Sequence, residues 1–463
     1  MSAPSRALDL SKAQWRTLFV VWLSYGAFYV CRVNIGPART EIEKSFSIDP
    51  LEMGFVLGAL KVGYAFGQLV NGQLAERFGP KRILLFGLFG SVAMCLLFAC
   101  AAPLAVILGP TLPGFASGVT TVVRFVSPHA TLGPIAALLL VIWFVNGYFQ
   151  AGGWPPTVKV MANWFTPLQR GRMMGIIGTS YQLGSAITIV MAGALVTAFH
   201  NDWRAAFIVP AAVLAVVGIH ALVRLRERPT QEEAPGVVLV KRDAAGDVIH
   251  APLAETLWLT LTNGRIWVLA LALFGLDIVR YGFLDWAPGH LIKLHGSGVL
   301  VGALKVAVFP LAGAVGALAS GWISDRYFQS RRAPMIAVSL GLVGLLTLAY
   351  DVVVPLGSFP TVVVLALLGF FLYGAQILLV GTAVQDYAKK SRAAAAAGFV
   401  DAMGSFGAFG GDVLTGWLLK NRDFHAAIKF WAAASIFAAL CAATLWRAKP
   451  HPPEEEVEAK ADA

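Results

Sequence analysis

Charge is scarce in this sequence: Asp, Glu, Lys and Arg make up 13% of 463 residues, roughly half the ~25% typical of a water-soluble domain. Cysteine is scarce too. The four residues, Cys31, Cys95, Cys100 and Cys441, all fall inside apolar runs, so neither a disulfide framework nor a metal site is predicted. The histidines sit in loops or near the ends of apolar runs, which leaves no central histidine relay. No nucleophile, metal-ligand or paired-acid constellation is recognisable, so no enzyme and no cofactor is expected. Segments of about ten alternating residues, which a membrane β-barrel needs, are missing as well.

What is abundant is apolar length. Hydrophobic residues make 57% of the chain, arranged in continuous runs longer than the ~18 residues that a bilayer-spanning helix requires. The runs fall at 16–38, 53–75, 82–108, 134–162, 171–199, 204–224, 265–290, 298–323, 333–355, 360–386, 393–419 and 425–446. Backbone groups in hydrocarbon must satisfy one another, and continuous runs do so only as helices. The fold class is therefore an all-α membrane protein with twelve transmembrane helices. The formal net charge of +10 does not signal nucleic acid. With the N-terminus placed inside, most Lys and Arg collect in the inner loops, among them Arg77, Lys81, Arg82, Arg170, Arg172, Arg224, Arg331, Arg332, Lys389 and Lys390. That bias orients a multi-pass protein in the cell's inner (plasma) membrane with both termini cytoplasmic. The polar N-terminus has no cleavable-signal pattern, so the first helix is expected to be retained.

The longest polar stretch, 225–262, divides the runs six and six. The expected organisation is an N-terminal half at 1–224, a cytoplasmic linker at 225–262, a C-terminal half at 263–447 and a cytoplasmic tail at 448–463. The pentapeptide GALKV occurs at 58–62 and again at 302–306. Other features recur at similar offsets: 280 − 32 = 248 for two arginines inside spans, 305 − 61 = 244 for two lysines and 321 − 72 = 249 for two glycines near the ends of their runs. Such an internal repeat implies two pseudo-symmetric halves related by an axis along the membrane normal, with a binding site between them at mid-membrane. The stretch 110–133 is irregular and lies outside; its structure is left open.

The third repeat pair carries a signature. GQLAERFGPKR, Gly72 to Arg82, and its weaker copy GWISDRYFQSRRAP, which begins at Gly321, occupy equivalent loops and resemble the loop motif of the major facilitator superfamily. The resemblance implies an alternating-access transporter of that fold. In it, Glu76 and Arg77 of the first copy and Asp325 of the second form charge clusters that make and break as the halves rock.

Five cations lie within spans: Arg32, Lys61, Lys159, Arg280 and Lys305. Each ionised side chain costs at least ~2.5 kcal/mol there unless water, a partner or a ligand receives it. Lys159 lies near an inner helix end and is placed to snorkel. Arg32 and Arg280 occupy matching depths on the first helix of each half, an arrangement that forms an anion clamp if both point inward; the alternative is a structural pair tied to carbonyls or to Asp277 and Asp285. Guanidinium suits the clamp because it stays charged when desolvated and presents paired donors.

Four further segments, YGAFYVCRVN (25–34), NGYFQAGGWPPTVKVMANWF (146–165), VRYGFLDWAP (279–288) and FFLYGAQILLVG (370–381), resemble the organophosphate:phosphate antiporters. The resemblance implies that Arg32 and Arg280 bind phosphate and that Tyr25, Tyr29, Trp154 and Tyr373 line the cavity. Four positions depart from the family pattern: Val33 and Gln68 stand where lysines are usual, Pro310 for a glutamate and Tyr181 for a histidine.

Lys61 lies two helical turns from Gln68 on one face, so it is a candidate replacement for the missing lysine, and Lys305 a second substrate contact. A gating pair between Lys61 and Asp412 is the competing expectation. Asp401 precedes Asp412 by three turns and faces the same way, and Asp285 joins the gating or coupling candidates. The expected partners are a small phosphorylated or carboxylated anion, inorganic phosphate and the bilayer, with no nucleic acid and a monomeric state. The expected function is organophosphate transport in exchange for phosphate. A proton-coupled symporter of an organic carboxylate such as a sugar acid is the first alternative, with Asp386, Asp401 or Asp412 as proton carrier, and a transporter-like membrane sensor the second.

Overall fold

The structure, a computed structural model, describes residues 10–230, 232–234, 261–328, 331–387 and 393–448. The greater part of the predicted linker and nearly all of the predicted tail lie outside the described residues. Among the described residues, twelve long helices are arranged as two bundles of six. The first comprises α1 (Lys12–Phe46, broken at its middle), α2 (Pro50–Phe78), α3 (Pro80–Ala99), α4 (Pro134–Trp164), α5 (Pro167–Ala198) and α6 (Ala205–Arg224). The second comprises α7 (Gly264–His295), α8 (Val299–Phe328), α9 (Arg332–Val353), α10 (Ser358–Thr382), α11 (Ala393–Asn421) and α12 (Phe424–Thr444). Among the described residues there is no strand. An even number of crossings brings Leu10 and Ala448, the outermost described residues, to one face, termed the terminal face below.

Local chemistry sets the helix starts. Ser11 with Gln14, Asp49 with Glu52 and Thr166 with Gln169 form capping boxes at α1, α2 and α5, each satisfying orphan backbone donors reciprocally. Pro50, Pro80, Pro134 and Pro167 occupy first-turn positions, where the missing N–H is no loss. Between α2 and α3 the backbone at Gly79 has φ +92°, a conformation that disfavours any side chain. The Glu227 carboxylate packs on Gly79 and accepts the Lys81 N–H at 3.2 Å, an anion at a helix N-terminus.

Two seams join the bundles, α2 with α11 and α5 with α8. Small residues let these helices approach closely. A Cβ added to Gly54 would lie 2.6 Å from the Asp412 carbonyl oxygen, and one on Gly416 would strike the Pro50 carbonyl. The ion pairs between the halves, Lys61 to Asp285 and Asp412 and Lys420 to Asp49, also lie toward the face opposite the termini. That face is closed. Gly54→Ala is expected to weaken the closure by about 1–3 kcal/mol through overpacking. In a background without the native cysteines, Leu57→Cys should then react faster with an impermeant thiol reagent; unchanged reactivity would show that this contact does not limit closure.

Composition and packing disagree at one place. By length and hydropathy, Ala101–Val123 is one of the twelve stretches able to cross a membrane, whereas α11 is not among them. Packing reverses this. Ala101–Val123 is broken at Gly109, φ +43°, into Ala101–Leu108 and Leu112–Val123. Leu132 N–H reaches Thr120 Oγ1 at 3.3 Å and Gly133 N–H reaches Glu52 at 2.5 Å, which ties the pair of helices to the closed face as an outer hairpin. It resolves most of the 110–133 stretch as helix. The predicted run 393–419 is α11, packed against α2 and α7 and less apolar because it carries Asp401 and Asp412.

Candidate functional site

The site is built where helices lose their regularity. After a 3-10 turn at Tyr29–Cys31, α1 breaks, and Arg32 takes φ −120°. The freed Cys31 carbonyl accepts Asn146 Nδ2 at 3.0 Å and Gln150 Nε2 at 3.3 Å, so α4 supplies the partners a broken membrane helix needs. In the second half, Arg280 and Tyr281 end the regular part of α7, and a π-helical turn follows at Gly282–Trp286. A second π turn, Leu378–Thr382, follows Gln376 in α10. Such turns widen a helix and mark functional positions.

Both arginines point into the protein, with relative exposures of 4% for Arg32 and 5% for Arg280. Arg32 donates from Nε to Gln150 Oε1 at 3.0 Å, and its guanidinium lies 4.5 Å from the ring centres of Tyr29 and Tyr64. Arg280 faces Asp277 Oδ1 and the Tyr29 hydroxyl, each at 3.4 Å, and the rings of Tyr281, Tyr373 and Tyr181 at 4.9, 5.5 and 5.8 Å. Tyr29 therefore touches both guanidiniums, one with its ring and the other with its hydroxyl. On these two guanidiniums, Arg32 Nη2 and Arg280 Nε are buried without a protein partner.

The four aromatic residues expected as lining come together. Tyr25 contacts Tyr29, Trp154 and Tyr181 at ring separations of 6.2, 5.1 and 6.5 Å, and Tyr181 stands 6.2 Å from Tyr373. Tyr64, Tyr281 and Gln150 belong to the same set and were not singled out in the sequence. Asp401 is close enough to interact electrostatically with Arg280, Arg32 and Asp277.

The lysines have other partners. Lys61 Nζ lies 2.6 Å from Asp285 Oδ2, 2.8 Å from Asp412 Oδ2 and 3.1 Å from the Leu57 carbonyl, with Trp286 Nε1 donating to Asp412 Oδ1 at 3.1 Å. Of the two acids considered for Arg280, Asp277 is its neighbour and Asp285 turns to Lys61. Lys305 stands apart from the arginines: its Nζ is 2.7 Å from His295 Nδ1, and His295 lies about 22 Å beyond Arg280 along α7 at ~1.5 Å per residue. On the terminal face, Arg332 pairs with Asp325 at 2.7 Å and lies 3.9 Å from Asp386, and Arg77 stacks on Phe78. The Glu76 side chain lies outside the described residues.

The sequence model described as Major Facilitator Superfamily matches residues 21–411 and 306–462. The chain belongs to the Major Facilitator Superfamily. Its relatives within the superfamily include the glycerol-3-phosphate transporter of Bacillus subtilis, 28% identical over 92% of this chain and 90% of the relative. The membrane sensor protein UhpC of Escherichia coli is 28% identical over 95% and 93%, and a probable hexose phosphate transport protein of Chlamydia trachomatis is 24% identical over 94% and 91%. These are proteins of the organophosphate:phosphate antiporter family, the group whose motifs the sequence resembles. A solved bacterial homologue of the human lysosomal transporter Spinster, inward-facing and unoccupied, shares the superfamily fold at a TM-score of 0.71 and 16% identity, covering 96% of this chain and 99% of its own. Superfamily members are not enzymes, and the chain is a multi-pass membrane protein.

Proposed function

We propose that the protein carries an organophosphate across the membrane in exchange for inorganic phosphate, by alternating access, with the anionic group held between Arg32 and Arg280. The observation that carries this reading is the pair of buried guanidiniums, one from each half, each retaining an N–H without a protein partner. Phosphate presents several acceptor oxygens and suits two converging guanidiniums. The relatives named for glycerol 3-phosphate and hexose phosphate transport support the phosphorylated class.

Exchange follows from electrostatics. Two buried cations, one facing Asp277 and the other a neutral glutamine, are costly in any intermediate closed on both sides. An anion lowers that cost, so the loaded protein crosses more easily than the empty one. The reading places the terminal face in the cytoplasm, where Arg77, Lys81, Arg82, Arg224, Arg331 and Arg332 gather, in the cell's inner membrane. A single chain supplies both halves of the site and works as a monomer.

Proteoliposomes loaded with phosphate should take up labelled phosphate or glycerol 3-phosphate at least ~10-fold faster than unloaded ones; equal rates would refute exchange. Asp401, within electrostatic reach of both arginines, favours a second reading, proton-coupled uptake of an organic carboxylate. External alkalinisation on addition of a sugar acid, with no phosphate counterflow, would select it.

A further inference from the structure

The fourth helix of each half carries a buried glutamine, and the two are bonded differently. Gln150 lies on the fourth helix of the first half and Gln376 on the fourth helix of the second, 376 − 150 = 226 residues apart. The first helices give 280 − 32 = 248. The difference, 22, is close to the 23 residues of the outer hairpin, Ala101–Val123, which lies between α3 and α4 and has no counterpart between α9 and α10. The glycine contacts set the register: Gly147 packs on the Leu60 carbonyl as Gly369 packs on the Phe309 carbonyl, which places Gln376 where the first half has Trp154 and leaves Leu372 opposite Gln150.

Gln150 accepts from Arg32 Nε at 3.0 Å. The second half has Leu372 at that position and can make no such bond to Arg280. Arg280 Nε has no partner, and neither has Gln376 Oε1, although Gln376 is only 6% exposed. Gln376 follows Tyr373 by three positions on α10, hence on the same face one turn toward the terminal face, and Tyr373 directs its ring at Arg280. A buried amide oxygen left unpaired costs about 1–3 kcal/mol, as does the unpaired guanidinium N–H. A ligand that receives the N–H and donates to the amide oxygen removes both costs.

We propose that Gln376 determines specificity by accepting a hydrogen bond from a hydroxyl group on the organic part of the substrate, whose phosphate engages Arg280. The assignment rests on the phosphate reading above and deepens it. The division of labour follows from the asymmetry. Arg32, fixed by Gln150 and two tyrosine rings, reads only the anionic group, whereas Arg280 and Gln376 read the anion and its hydroxylated body together. Inorganic phosphate uses the two guanidiniums and not Gln376. A site that hydrogen-bonds a hydroxyl discriminates strongly against the analogue lacking it.

The test uses the purified full-length protein and three ligands: inorganic phosphate, glycerol 3-phosphate and n-propyl phosphate, which has the same carbon count and no hydroxyl. Affinities come from ligand-dependent thermal stabilisation, which does not require exchange. The wild type should bind glycerol 3-phosphate at least ~10-fold more tightly than propyl phosphate. Gln376→Leu should bring the two within about threefold while leaving phosphate affinity within about twofold, and Gln376→Glu, which retains an acceptor but adds charge, should weaken all three. Gln150→Leu, the control, should weaken all three in equal proportion. If the wild type shows no preference for the hydroxylated ester, or if Gln376→Leu keeps it, the assignment to Gln376 falls while the phosphate site stands. If none of the three ligands stabilises the wild type, the phosphate reading itself falls.

Discussion

Arg32→Lys and Arg280→Lys should each reduce phosphate exchange to about 1% of wild type or less, a loss of ~2.7 kcal/mol in transition-state terms, although each substitution preserves the charge. A lysine offers one compact, strongly hydrated charge in place of a planar fork. Arg32 uses three separate features of that fork: Nε on Gln150, the planar group against the Tyr29 and Tyr64 rings, and Nη2 left for a ligand. An ammonium cannot do all three at once. The same molecule illustrates what a buried lysine requires, since Lys61 is held by two carboxylates, and neither arginine position offers two. The neutral variants should then separate the sites. Arg280→Gln leaves Asp277, 5% exposed, without its cation and should lower the melting temperature more than Arg32→Gln, whose lost partner is the uncharged Gln150. Initial rates in proteoliposomes and thermal melts of the purified variants measure both effects. Retention of more than a fifth of the wild-type rate by either lysine variant would remove the clamp from the mechanism.

The arginines were legible in the sequence because an ionised group in an apolar run has no other inexpensive place to go, and the repeat offset linked them. Their surroundings were less legible. Tyr64 and Tyr281 are ordinary residues for a membrane helix, and nothing along the chain distinguishes a tyrosine that faces a guanidinium from one that faces lipid. Gln150 could have been suspected, since a buried amide also needs a partner, but its partner is 118 residues away. The break in α1 had a local signal in the Gly36–Pro37 pair, which disfavours uninterrupted helix. The hairpin at Ala101–Val123 and the Asp-bearing α11 show the limit of hydropathy. It measures the preference of a segment for lipid, whereas α11 owes its place to burial against α2 and α7, where the carboxylates find cations.

The same distinction governs the closed face. Lys61 on α2, Asp285 on α7 and Asp412 on α11 meet with side chains no more than 5% exposed, and Trp286 donates to Asp412. Lys61 and these acids belong to different halves, so opening this face has to separate them. The cluster holds one cation and two anions. Lys61→Asp places three carboxylates together, and Asp412→Lys leaves two cations facing one acid. Removing one partner from a buried pair costs about 3–5 kcal/mol, and reversing its sign costs more, so each single variant should lose most of its exchange activity and melt well below wild type. The double variant Lys61→Asp with Asp412→Lys restores one cation and two anions in nearly the same volume and should recover at least ~10-fold in rate over either single, the coupling that marks directly interacting groups. Exchanging Lys61 with Asp285 instead supplies an independent second cycle. If both doubles prove no better than their worse single parent, the three residues do not act as a gate, and their pairing serves only to hold the bundles together.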